Sequence, residues 1–299
     1  MKSQATEANK VQYRSSRKIP WDKFAFEYDT YVTNSRYPPL LSFMEREQDL
    51  LIDTIKSLIT VKHNVVVIEI GAGTGRSLFS CRQDVRLMNK CLYFIGIDNA
   101  ETMTHIAMIK RNQLRDSQEI SYNDSKKFVF LTLDGENLNR YFYSGRIKRP
   151  ESRIDRKNLI ALNRLNDELY SSATKIICIL LNTLGNISPS NRVRVLEAMV
   201  KAIPPGGMII LSLFDGSSFQ QGALGLYQSI APMVGKVVQN DFYYDTYELK
   251  AKEYYSHWFI PQEAAELVQS VGFQDVEIIP FNGSELKGIF LKAYKANQP

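Results

Sequence analysis

Val65-Val66-Val67-Ile68-Glu69-Ile70-Gly71-Ala72-Gly73-Thr74-Gly75 decides how the rest of this chain is read. Its first half is an apolar, β-branched run, the pattern of a strand buried on both faces, and its second half is a glycine turn. Glycines at alternate positions remove the Cβ atoms that would hold a ligand off the backbone, and they allow the positive φ values a sharp strand-to-helix turn needs. Spacing narrows the ligand. A dinucleotide fingerprint wants a small residue at the sixth position from Gly71, where this chain has Arg76. No Gly-Lys-Ser/Thr follows, so no lysine is placed to hold the outer phosphates of a nucleoside triphosphate. The expected ligand has no pyrophosphate.

The next strand candidate, Cys91-Leu92-Tyr93-Phe94-Ile95-Gly96-Ile97, ends at Asp98, 23 residues after Gly75. A carboxylate at the end of a second strand accepts hydrogen bonds from a ribose diol. Glu69, the glycines and Asp98 together resemble the S-adenosylmethionine (SAM) site of the class I methyltransferases. The resemblance continues through Phe128-Val129-Phe130-Leu131-Thr132-Leu133-Asp134-Gly135-Glu136, a strand and acidic turn where that family contacts adenine. Next come Ile176 to Leu181, ending in Asn182-Thr183-Leu184-Gly185-Asn186, and the turn Pro204-Pro205-Gly206-Gly207 before the strand-like Met208 to Phe214. A last helix near residues 259–268 stops at Gly272, with strands expected near 275–280 and 288–294.

The resemblance implies an α/β fold: a three-layer, Rossmann-like, seven-stranded, mostly parallel sheet with a reversed last strand, plus an N-terminal helical segment and a cap-like insertion. It implies SAM as cofactor, with Glu69, Gly71, Ala72, Gly73, Gly75, Asp98, Asn99, Met103, Asp134, Gly135, Asn182 and Thr183 around it. Asp134 also suits a simple helix start. Base-methylating members carry Asp/Asn-Pro-Pro-aromatic at the fourth motif; Asn182 is followed by Thr183-Leu184-Gly185, which removes the best support for a nucleobase acceptor. The Asn-Thr-Leu-Gly-Asn stretch is similar to a short segment of the histidine Nα-methyltransferases, and no substrate residue is carried across from it.

Length and composition agree. A chain of 299 residues, 44% of them hydrophobic, can bury one large core or one core plus a cap. Three cysteines, Cys81, Cys91 and Cys178, lack metal-ligand spacing and suggest a reducing compartment. His63, His105 and His257 are scattered, so no metal is expected. No apolar run reaches the roughly 20 residues needed to span a bilayer. A cytoplasmic protein, monomer or homodimer, with no membrane partner is the simplest expectation.

The expected organisation is a disordered basic arm (1–20), an N-terminal helical lid (21–60) and a SAM-binding methyltransferase domain (61–299) with insertions at 138–174 and 216–258. The lid brings Trp21, Phe24, Phe26, Tyr28, Tyr31 and Tyr37 ahead of a helix-like pattern; these rings either close over a ligand or pack that helix on the sheet. The first insertion holds seven Lys/Arg against two acids between Arg140 and Lys157. Such a stretch suits phosphate contacts or a solvated loop leading into a helix from about residue 155. The second carries eight aromatics and His257 between Phe242 and Phe259, a composition that suits an aromatic wall, a hydrophobic cap or a dimer surface.

Methyl transfer from a sulfonium needs alignment above all, and a base adds a further factor of roughly 10² to 10⁴ where the acceptor must lose a proton. His257 and Tyr243 are the candidate catalytic residues. Tyr28, Tyr37, Asn186, Tyr247, Tyr255 and Trp258 are the candidate substrate contacts. The expected acceptor is a small molecule methylated at nitrogen or oxygen, aromatic or amine-bearing. An RNA or protein acceptor is the runner-up, resting on the basic insertion and the basic N-terminal arm; the overall charge of +5 is too modest to demand nucleic acid by itself. A SAM-binding regulatory protein without turnover is the third class.

Overall fold

The computed structural model describes residues 21–62, 64–138, 173–252, 254–282 and 285–295, with positions 142, 156–158 and 162. The expected basic arm, His63 and most of the 138–174 insertion, including the helix expected there, lie outside the described residues.

The β-branched run forms β1 (Val65–Ile70), buried along its whole length. It pairs in parallel with β2 (Cys91–Asp98) on one side and β4 (Thr174–Ile179) on the other. Around them stand β3 (Phe128–Thr132), β5 (Met208–Phe214), β9 (Phe273–Asn282) and β10 (Lys287–Lys295), in the order β3-β2-β1-β4-β5-β10-β9. Only β10 runs against its neighbours, with Leu291 opposite Leu211 of β5 and Ile278 of β9. This is the seven-stranded sheet with a reversed last strand that the motifs imply.

Side chains alternate along β1, so Val65 and Val67 enter one core while Val66, Ile68 and Ile70 enter the other. The first core is covered by α2 (Pro38–Val61), α3 (Arg76–Ser80), α4 (Val85–Lys90), α5 (Glu101–Asp116) and α8 (Phe219–Ser229). The second is covered by α7 (Pro189–Ala202) and α10 (Pro261–Ser270). Proline at the first turn of α2, α7 and α10 fixes φ where no helical N–H is needed. In α2, Phe43 packs 4.8 Å from both Phe214 and Phe281. This long helix is therefore part of the core, while α1 (Trp21–Tyr28) and the turn after it pack on α5 through Ala25, Ala100 and Met103.

Residues 216–258 add α8, the short α9 (Ala231–Val234) and an antiparallel sheet of β6 (Phe242–Tyr243), β7 (Glu248–Lys250) and β8 (Tyr255–His257). A helical turn, Tyr244–Thr246, stands where alternation of Tyr243, Asp245 and Tyr247 suggests strand. No helix among the described residues is long and apolar enough to cross a membrane.

Candidate functional site

At the carboxyl ends of β1 to β4, where ligands bind in open α/β sheets, a cavity of about 970 Å³ opens beneath α1. The turn after β1 enters it through Gly71 (φ +72°) and Gly73 (φ +53°). A Cβ on Gly71 would lie 2.4 Å from Thr183 Cγ2, across the cavity floor. Gly75 has another task, since a Cβ there would meet Phe79 at 2.7 Å and Phe130 at 3.0 Å under the helix; neither it nor Ala72 lines the cavity.

Asp98, at the end of β2, accepts from Gly73 N and Ala100 N, each at 2.9 Å. The glycine turn and the start of α5 therefore fix one carboxylate between them. Burial pushes its pKa up to about 6 against the pull of those amides. A carboxylate has about four acceptor positions, so these bonds leave acceptor capacity for a ligand. Asn99, Met103, Leu133, Asp134 and Gly135 continue the wall. Asp134 both lines the cavity and caps the turn Gly135–Asn137 through Glu136 N (3.3 Å).

Glu69 lies behind the wall. Burial raises it to about 8 in spite of Arg76, and its Oε2 has no hydrogen-bond partner among the described residues. Arg76 itself pairs with Glu47 of α2 at 2.5 Å, and the other oxygen of Glu47 accepts from Leu181 N at 2.7 Å. Leu181 (φ +51°) and Asn182 (φ +55°) are consecutive left-handed residues at the end of β4, a conformation that persists only where surroundings impose it. Leu181 lines the cavity and Asn182 does not. Fully buried, Asn182 donates to Ser256 Oγ (3.2 Å) and His257 O (3.1 Å) and accepts from Phe214 N (3.2 Å). Its side chain ties the ends of β4, β5 and β8 together, leaving Thr183 and Asn186 to face the cavity.

The N-terminal segment is fastened over this floor by carboxylates. Asp29 accepts from Thr74 Oγ1 (2.6 Å) and pairs with Lys110 (2.6 Å), while Asp22 accepts from Thr102 N (2.7 Å). Trp21, Tyr28, Val32 and Leu40 consequently close the cavity, and the Tyr28 ring stands 3.5 Å from where a Gly73 Cβ would be. The far wall comes from Phe214, Leu226, Tyr227, Ile230 and Met233, with Ala251, Lys252, Tyr254 and Tyr255.

Tyr28, Asn186 and Tyr255 thus line the cavity, and the other expected acceptor contacts do not. Tyr37 bonds Glu285 at 2.8 Å, Tyr247 packs on Gly216 and Phe219, and Trp258 is fully buried with its indole N–H on Tyr227 Oη at 2.8 Å. His257 is buried against Phe259, with Glu263 2.8 Å from its Nε2. Tyr243 is exposed under Lys250. Neither candidate catalytic residue reaches the cavity. Trp21 and Tyr254, which the sequence offers only as members of aromatic runs, also line the cavity, and Tyr227, Ile230 and Met233, which carry no signal beyond amphipathic spacing, were missed at the sequence level.

No protein-family model matches the sequence, and no curated protein matches it. Solved structures do. The CurJ carbon methyltransferase superposes over 93% of this chain with TM-score 0.54 at 13% identity, and the DszA carbon methyltransferase over 91% with TM-score 0.52 at 11%. The S-adenosylmethionine-dependent methyltransferase SibL does so over 85%, TM-score 0.52, identity 11%. The chain has the class I methyltransferase fold. It spans 60%, 61% and 55% of the CurJ, DszA and SibL chains respectively.

Proposed function

We propose that this protein is a SAM-dependent methyltransferase acting at nitrogen or oxygen of a small-molecule acceptor. The observation that carries the proposal is Asp98 fixed by Gly73 N at the point where the glycine turn opens into the cavity. The residues present fit the cofactor. Asp98 would take the ribose hydroxyls, and Met103, Leu133, Asp134 and Gly135 the adenine. Gly71 and Gly73, which have no Cβ to obstruct approach, would take the amino-acid end. A volume near 970 Å³ stands at the top of the roughly 300–1,000 Å³ range of ligand pockets and suits a second molecule alongside.

When bound, the cofactor supplies an activated methyl group whose leaving group needs no help from the protein. The chain's part is to orient the acceptor and exclude water, effects that reach about 7–11 kcal/mol when geometry is good. The phenols of Tyr28, Tyr227 and Tyr254 that face the cavity are held neutral by burial, which raises their pKa values. Calorimetry with SAM and with S-adenosylhomocysteine tests the proposal on the intact protein, Asp98→Ala and Gly73→Val. Binding by the parent that both changes abolish is expected; a folded parent that binds neither molecule refutes it.

A further inference from the structure

Resting on the methyl-transfer reading, the geometry points to the class of acceptor: an apolar aromatic or aliphatic body bearing one acidic group, seated between α1 and α8–α9 with its acid at Lys252. Beyond Thr183 the cavity wall offers mainly rings and alkyl groups, and the hydroxyls of Tyr227, Tyr254 and Tyr255 already have partners inside the protein, leaving Ser188 Oγ as the buried polar side-chain atom of the described wall without one. Tyr227 Oη accepts from Trp258, Tyr254 donates to Asn186 Oδ1 at 3.2 Å, and Tyr255 donates to Glu248 at 2.7 Å while accepting from Arg192 at 3.1 Å. The ring centroids of Trp21, Tyr254 and Tyr227 follow one another at 6.1 and 5.8 Å. A polar acceptor would lose its hydration there for at most a few new hydrogen bonds, Ser188 Oγ among them, whereas an apolar one gains by burial.

Charge fixes the rest. The carboxylates lining the cavity, Asp98, Asp134 and Glu136, follow β2 and β3, at the cofactor end. Among the described residues that line it, Lys252 is the one cation, exposed where the cap stretch reaches the mouth. Rings alone would also attract a cation, but a cationic acceptor entering here would face Lys252, and an anionic one would pair with it.

The test uses 2-naphthoate, its neutral amide and 2-naphthylmethylammonium as probes, titrated calorimetrically into the intact protein saturated with S-adenosylhomocysteine. Naphthoate should bind best. Ile230→Trp, which fills the apolar half, should weaken naphthoate and the amide at least tenfold while S-adenosylhomocysteine affinity moves less than twofold. Lys252→Gln, at an exposed position that folding does not depend on, should weaken naphthoate about two- to fivefold, the size of an exposed ion pair, and leave the amide unchanged. Preference for the ammonium probe, or no naphthalene binding by protein that holds S-adenosylhomocysteine, overturns the inference and leaves methyl transfer standing. Failure of S-adenosylhomocysteine itself to bind removes the reading beneath it.

Discussion

Replacing Asn182 by alanine should unfold this protein far more readily than it weakens cofactor binding. The side chain satisfies Phe214 N and His257 O from a fully buried position. Truncation leaves both backbone groups without that partner, at about 1–3 kcal/mol each, so the loss is about 2–6 kcal/mol. The left-handed φ of +55° adds to it, because asparagine tolerates that conformation better than alanine. Domains hold about 5–15 kcal/mol in total, so the variant approaches the edge of stability at 37 °C. With a urea m-value of about 3 kcal/mol/M for a chain of this size, a loss of about 4 kcal/mol moves the midpoint down by about 1.3 M. Equilibrium urea unfolding followed by tryptophan fluorescence reads this directly. At low temperature, where the variant is folded, S-adenosylhomocysteine affinity should fall by less than about threefold. A midpoint shift under about 0.3 M together with a tenfold loss of affinity would refute the argument and restore Asn182 as a cofactor ligand.

Three further outcomes follow from the buried carboxylates. Asp98 titrates near 6 in the free protein and must be ionised to accept from a ribose diol, so affinity for S-adenosylhomocysteine should be flat above about pH 7 and fall up to tenfold per unit below 6. Since its folded pKa lies above the ordinary value of 3.8, ionising Asp98 opposes folding: its contribution favours the native state below about pH 4 and is lost as pH rises through 6. Calorimetry across pH 5–8 and unfolding of the free protein over the same range read the two effects, and an affinity that stays level to pH 5 contradicts the first. Arg76→Met, which strands the buried Glu47 carboxylate, should cost about 3–5 kcal/mol in urea unfolding, and Arg76→Met with Glu47→Leu should recover part of that loss. A double variant no better than the single one shows that Glu47 acts mainly through Leu181 N.

The cofactor half of the site is legible in sequence because its chemistry is local. Gly71 and Gly73 directly follow the strand that positions them, and Asp98 ends the strand paired with it, so a run of residues and one interval are enough to bring carboxylate and turn together. β3, most of β4 and β5 are likewise apolar runs, which covers on both faces require. Where neighbours in space are distant in sequence, the same logic fails. Asn182 occupies the motif position expected of a ligand, yet it turns inward because Phe214 N and His257 O, 32 and 75 residues away, need partners. His257 and Tyr243 are chemically apt, but Glu263 and Lys250 engage them outside the cavity.

The part of the cavity proposed for the acceptor is built on a periodicity that has two meanings. Leu226, Ile230 and Met233 recur at spacings of four and three, the pattern of a helical face turned to a core. That pattern reports only that a face leaves water; whether it meets other side chains or a ligand depends on what lies opposite. Here α1 lies opposite, held off by Asp22 on the first turn of α5 and by Asp29 on Thr74 of the glycine turn and Lys110 of α5, and the gap becomes a chamber. The aromatic run 242–259 divides on the same principle. Trp258 fills the space beneath Phe214 and Phe219 at 5.0 and 5.2 Å and orients Tyr227 through its N–H, so the ring at the cavity wall is the one that indole supports. On the proposed reading, acceptor choice rests on how the cap is packed from below, and Trp258→Phe should change the ratio of naphthoate to amide affinity, read by calorimetry, through Tyr227 without touching the acceptor itself.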